Sequence, residues 1–129
     1  MAFLHREGEV VWAVPPSVLS DADLDGLVDE LNEHLALGKA YVLLFDLSRA
    51  AVPSPLQRTK LTRHIRDNDA RIRRSVRGLG IVLGSTVARG MVTAVFWVSP
   101  PPVPYRTFSG RGAAAAWANA IWAGREAAV

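Results

Sequence analysis

Asp46, Ser48 and His64 are the residues whose types could assemble nucleophilic chemistry, with a serine hydroxyl to attack, a histidine to take its proton and a carboxylate behind the ring. Asp46 and Ser48 stand together after the apolar run Tyr41-Val-Leu-Leu-Phe, whereas His64 belongs to a separate, strongly basic segment. Nothing in the spacing brings the three together. Turn chemistry accounts for Asp46 and Ser48, whose short side chains satisfy backbone donors at a strand end. The chain has no cysteine, and its three histidines (His5, His34, His64) are scattered. Thiol nucleophiles, disulfides and thiolate zinc sites are thereby excluded, and no metal set or cofactor is expected. The expectation is a protein that is not an enzyme.

Ser54 is the other hydroxyl of interest. In Ser54-Pro55-Leu56-Gln57 the serine stands where a helix cap belongs, proline suits the first helical position, and glutamine completes a capping box. The cap alone explains Ser54. A regulatory role is also open to it, since a phosphate there would meet a helix N-terminus and nearby bases.

Those bases are Arg58, Lys60, Arg63, Arg66, Arg71, Arg73, Arg74 and Arg77, set against Asp67 and Asp69 alone. The segment from Asp21 to Glu33 is the reverse, with acids and no base, so the net charge of +3 conceals one acidic helix and one basic helix. Clustered arginines can neutralise phosphates, but no aromatic residues are interleaved for stacking on single strands. Nucleic acid is the less favoured partner, and a solvated face is the simpler account. Gly78-Leu-Gly80-Ile-Val-Leu-Gly84 has the wrong spacing for a phosphate loop. Its apolar residues make it a strand, with glycines that let a helix pack closely over the sheet.

These residues must be held by a scaffold, and 129 residues suffice for a single domain over 1–129 that buries most of its unfolded surface. Half the residues are hydrophobic, yet no apolar stretch is long enough to span a membrane, and the start lacks a secretory signal's apolar centre. A cytoplasmic location is the expectation. Strands at Ala2 to Arg6 and Glu9 to Val14, turning at Gly8, predict a hairpin. Ser20 with Asp23 opens a helix to Leu37, carrying Leu24, Leu27, Val28, Leu31 and Leu35 at helical spacing before Gly38. Ala40 to Leu47 is too uniformly apolar to be half exposed and reads as the central strand.

The second helix runs from Ser54 to about Asn68 with Leu56, Leu61 and Ile65 as its apolar stripe, and a strand follows from Arg77 to Gly84. Ser85 or Thr86 caps a third helix, Val87 to Val98, whose core face is Val87, Met91, Ala94, Val95 and Val98, with Phe96 and Trp97 on or beside the other side. After the prolines 100–102 come a short strand, Pro104 to Phe108, and an alanine-rich helix through Trp122. The order β-β-α-β-α-β-α-β-α predicts an α/β fold with a mixed five-stranded sheet and helices packed against it.

With Asp46-Leu-Ser48 ending the central strand, the loop into a helix, and the final short strand and helix, the chain resembles the STAS domain in its single-domain form, SpoIIAA-like or anti-sigma-factor-antagonist-like. The resemblance implies a non-enzymatic fold whose loops and helix ends meet other proteins. In the antagonists the phosphorylated serine sits in Asp-Ser-Ser-Gly at the start of helix two. Here the stretch is Pro53-Ser54-Pro55-Leu56, with Ser54 in the aspartate's place and no serine in the acceptor's. The chain is also similar to SpoIIAA-like proteins that share an architecture with CRAL-TRIO lipid-binding domains. That likeness implies a ligand site lined by the helix from Val87 to Val98.

Phe96, Trp97, Tyr105 and the proline run, with Val52 in the loop after the central strand, form the expected working surface. A tryptophan beside another aromatic and a rigid connection makes an anchor of little conformational freedom. The alternative is that the helix carrying Trp117 and Trp122 covers it. Two functions follow. One is a regulatory, signalling or scaffolding module binding a protein partner, or a second copy of itself as a homodimer, through this helix and the loops at the Asp46 end of the sheet, with Ser48 and Ser54 as possible regulatory hydroxyls. The other is a small apolar-ligand or lipid-binding domain with the same helix as lid. A carrier requires an internal cavity; an interaction module should be packed solid with its aromatics outside.

Overall fold

The computed structural model describes residues 3–50, 53–98 and 100–124. Strands β1 (Leu4–Glu7) and β2 (Val10–Ala13) form the expected hairpin, with Leu4 opposite Ala13 and Glu7 opposite Val10. Gly8 makes the turn at a φ of 62°, a conformation that costs a glycine little. The expected start at Ala2 lies outside the described residues.

Three further strands, β3 (Tyr41–Leu47), β4 (Val76–Leu83) and β5 (Tyr105–Phe108), add in parallel to give one sheet in the order β1-β2-β3-β4-β5. Helix α1 (Asp21–Ala36) joins β2 to β3, α2 (Pro55–Asp67) and α3 (Asp69–Ser75) join β3 to β4, α4 (Thr86–Val98) joins β4 to β5, and α5 (Arg111–Trp122) follows. Because each parallel strand lies beside its predecessor, crossovers of one hand place α1 to α4 on the same face of the sheet. Only α5, among the described helices, reaches the other face.

Side-chain alternation along β3 makes the division plain. Tyr41 and Leu43 join a core with Leu27, Leu31 and Leu35 of α1, while Val42 and Leu44 join a second core with Ala114, Trp117 and Ala118 of α5. A strand covered on both faces can be apolar without interruption, which is why its run carries no alternation. On the α5 face a Cβ placed at Gly78 or Gly80 would stand 3.1 or 3.3 Å from the Trp117 ring. The glycines therefore seat that indole on the sheet, as their place in a strand predicts.

Helix α1 starts at the predicted capping box, in which Ser20 Oγ accepts from Asp23 N and Asp23 Oδ2 from Ser20 N, and Gly38 follows its end at a φ of 69°. Ser85 caps α4 by accepting from Ala88 N at 3.1 Å.

Helix α3 interrupts the expected passage from helix two to the next strand. Asn68 ends α2 with its Nδ2 donating to His64 O at 2.9 Å, and the chain re-enters a helix at Asp69. Only Ile72 anchors that short turn to the core. The arginine-rich sequence of α3 has no apolar periodicity to announce it.

Candidate functional site

Helix α4 does not lie flat on the sheet. Beneath it is a partly enclosed cavity of about 220 Å³. Its floor is the odd-numbered side of the sheet, with Phe45 and Leu47 of β3 and Leu79, Ile81 and Leu83 of β4. Ala88, Met91, Val92, Val95 and Phe96 of α4 form the roof, Leu61 and Ile65 of α2 form one wall, and Ala50 and Pro53 bring in the loop after β3. Arg58 and Thr62, one turn apart on α2, bring polar side chains into this lining.

The inward face of α4 therefore differs from the expected one. Val87 is 74% exposed and Ala94 is also outside, while Met91 and Val95 point inward with Val92 and Phe96. The Val98 side chain lies outside the described residues. When a helix is apolar nearly all round, two stripes fit the 3.6-residue period equally well, and the sequence does not choose between them. On α2 the expected apolar stripe loses Leu56. It is 61% exposed, and Gln57 beside it is buried.

Gln57 is a structural hub that its polarity conceals. Its Oε1 accepts from Ser54 N and its Nε2 donates to Leu19 O at 2.8 Å and to Asp21 Oδ1 at 3.3 Å, tying the start of α2 to the start of α1. Ser54 Oγ accepts from Gln57 N at 3.1 Å, so this hydroxyl serves as the cap. Lys60 also reaches across to Asp25 at 3.6 Å, which joins the basic helix to the acidic one.

Of the nucleophilic set, Asp46 and Ser48 are in contact and His64 stands apart. Ser48 Oγ donates to Asp46 Oδ1 at 2.6 Å, and the same oxygen accepts from Ser48 N. Asp46 Oδ2 meets Arg111 Nε at 3.2 Å on the α5 face, opposite the cavity. The His64 ring instead lines a smaller apolar hollow of about 90 Å³ and has Asn68 Nδ2 as its partner at 3.3 Å. Burial holds its pKa below the ordinary histidine value, Asp67 opposes that shift, and Arg71 adds to it. Among the described residues no group of three or more histidines, aspartates or glutamates is placed to hold a metal ion, and no helix is long and apolar enough to cross a membrane.

No family model matches the sequence, and no curated protein matches it. Among solved structures, the chain is similar to a DUF3478-family protein from Shewanella loihica PV-4 described as having a SpoIIAA-like fold. The two share 16% identity and superpose with a TM-score of 0.59 over 89% of this chain and 90% of that one. The fold is SpoIIAA-like. The mixed five-stranded sheet and the succession of elements read from the sequence stand with it, α3 being the one helix added.

In this SpoIIAA-like frame the aromatic residues of the expected surface divide between inside and outside. Trp97 is 85% exposed, and α5, on the opposite face of the sheet, does not cover it. Phe96 turns into the cavity and packs edge-on against Tyr105 of β5, with ring centroids 4.7 Å apart. Val52 lies outside the described residues.

Proposed function

We propose that this SpoIIAA-like chain is a non-catalytic regulatory module that takes a small apolar molecule beneath α4, the helix serving as lid. The carrying observation is the cavity of about 220 Å³ between α4 and the sheet, floored and roofed by aliphatic and aromatic side chains. A dry cavity of ~150 Å³ lined by such residues is enough to take up benzene. By proportion, this one accommodates about eight or nine carbons. The Ser48, Asp46 and His64 geometry supports a role without catalysis, since Ser48 bonds directly to Asp46 while His64, the one base of the set, is engaged with Asn68 instead.

The test is a thermal melt with and without 1-octanol, repeated on Val92→Phe, which fills the cavity from the lid. The alcohol should raise the Tm of the wild type and leave the variant unmoved, because only a ligand of the native state shifts the equilibrium. Equal response of both proteins, or of neither, overturns the reading.

The exposure of Trp97 and Val87 favours a second function on the outer side of the same helix, where a protein partner or a second copy of the chain would dock. Fold likeness adds support, since STAS-type modules regulate by binding proteins. A pull-down from native lysate with wild type and with folded Trp97→Ala checks it. Recovery of identical partners by both removes Trp97 from the surface.

A further inference from the structure

We infer that the ligand is an amphipathic monoanion of medium length, a carboxylate whose tail fills the cavity and whose head is received by Arg58. The inference rests on the cavity being a ligand site and goes on to name the chemistry of its occupant. Arg58 lines the cavity, and its Nη1 donates to the Pro53 carbonyl at 3.1 Å, which fixes the guanidinium at the loop side of α2. Among the described residues no carboxylate pairs with it. Arg6, Lys60, Arg73 and Arg111, by contrast, each meet a glutamate or an aspartate.

A half-buried cation beside an otherwise apolar space has lost part of its hydration without gaining a counter-charge, which makes it receptive to an anion. The planar guanidinium has further N–H groups beyond the one given to Pro53, in the fork geometry that fits a carboxylate. Thr62 stands one turn along the same face of α2 and lines the same space, offering a hydroxyl beside the head. An uncharged ligand would leave the guanidinium without a counter-charge, and a cationic one would be repelled. Charge and shape together select a short fatty-acid-like molecule, with one anionic end and a flexible apolar body.

The experiment is isothermal titration of the full chain with octanoate, 1-octanol and octylammonium, using wild type, Arg58→Leu and Arg58→Lys, each checked for folding by circular dichroism. Wild type should bind octanoate most tightly and octylammonium least. Arg58→Leu should weaken octanoate about tenfold, the worth of one charge-assisted hydrogen bond, while 1-octanol changes less than twofold. Arg58→Lys should fall between, because it keeps the charge and loses the fork. If 1-octanol binds and both variants leave the preference for octanoate intact, the head-group assignment is overturned and the cavity reading stands. If none of the three compounds binds the wild type, both fall. Should Arg58→Leu fail to fold, the lysine variant and the wild-type order of the three compounds still decide.

Discussion

Arg111 Nε lies 3.2 Å from Asp46 Oδ2, and the same guanidinium stands 4.3 Å from the centroid of the Trp12 ring. The first turn of α5 is thus fastened to the end of β3 and to the face of β2 at once. Asp46 keeps only 11% of its side-chain surface, and its other oxygen is occupied by Ser48. Replacing Asp46 by Ala should destabilise the fold by about 0.5–1.5 kcal/mol, the net worth of its hydrogen bonds, since its donors on Ser48 and Arg111 are exposed and turn to water. Arg111 is half exposed, so Arg111→Ala should cost only about 0.5–1 kcal/mol, mostly the ring contact. Urea unfolding of both variants and of the double mutant gives the values.

Gln57 should matter more than its polarity suggests. Gln57→Leu keeps the bulk but leaves Ser54 N and Leu19 O without their partner, at about 1–3 kcal/mol. Ser54→Ala removes the cap alone and should cost about 1 kcal/mol, whereas Ser54→Asp should be nearly neutral because aspartate caps as well. Equal effects of Gln57→Leu and Ser54→Ala in denaturant titration would show that the tie to α1 contributes nothing.

Histidine 64 sets a pH dependence whose sign follows from its burial. Its folded pKa lies below the ordinary 6.5, so as the pH falls beneath that value the unfolded chain takes up the proton first. The contribution of His64 is complete above 6.5 and is lost as the pH drops toward the folded value. Tm should therefore decline on acidification through this window, and His64→Gln should decline less steeply.

Gly80 tests the seat of Trp117. A methyl group there would stand 3.3 Å from both the Trp117 and Phe108 rings and would press into Leu44. Gly80→Ala should destabilise by about 1–3 kcal/mol through overpacking, although alanine in a strand is otherwise the better residue. A neutral result in thermal unfolding would mean that α5 can move aside.

The framework was legible because its signals are local. Ser20 with Asp23, Ser54 with Gln57, and the uninterrupted Tyr41 to Phe45 run each report a cap or a twice-covered strand from neighbouring residues alone. A ligand space beneath α4 was open as an alternative, but its lining was not legible, since it depends on which stripe of α4 turns inward, and Val87 and Val92 are chemically alike. The tie from Gln57 to Leu19 and the pairing of Asp46 with Arg111 are likewise long-range in the chain, and no spacing rule encodes them. Helix α3 escaped notice because it is held by one apolar side chain, Ile72.

Among the described elements α5 alone covers one face of the sheet, and this helix follows all the described strands. As the polypeptide leaves the ribosome, Val42, Leu44 and Val82 must remain wet until Ala114, Trp117 and Ala118 have been made. Any shortened product that stops before α5 would present a greasy plane to its neighbours, so the cell would meet such fragments as aggregates or protease substrates.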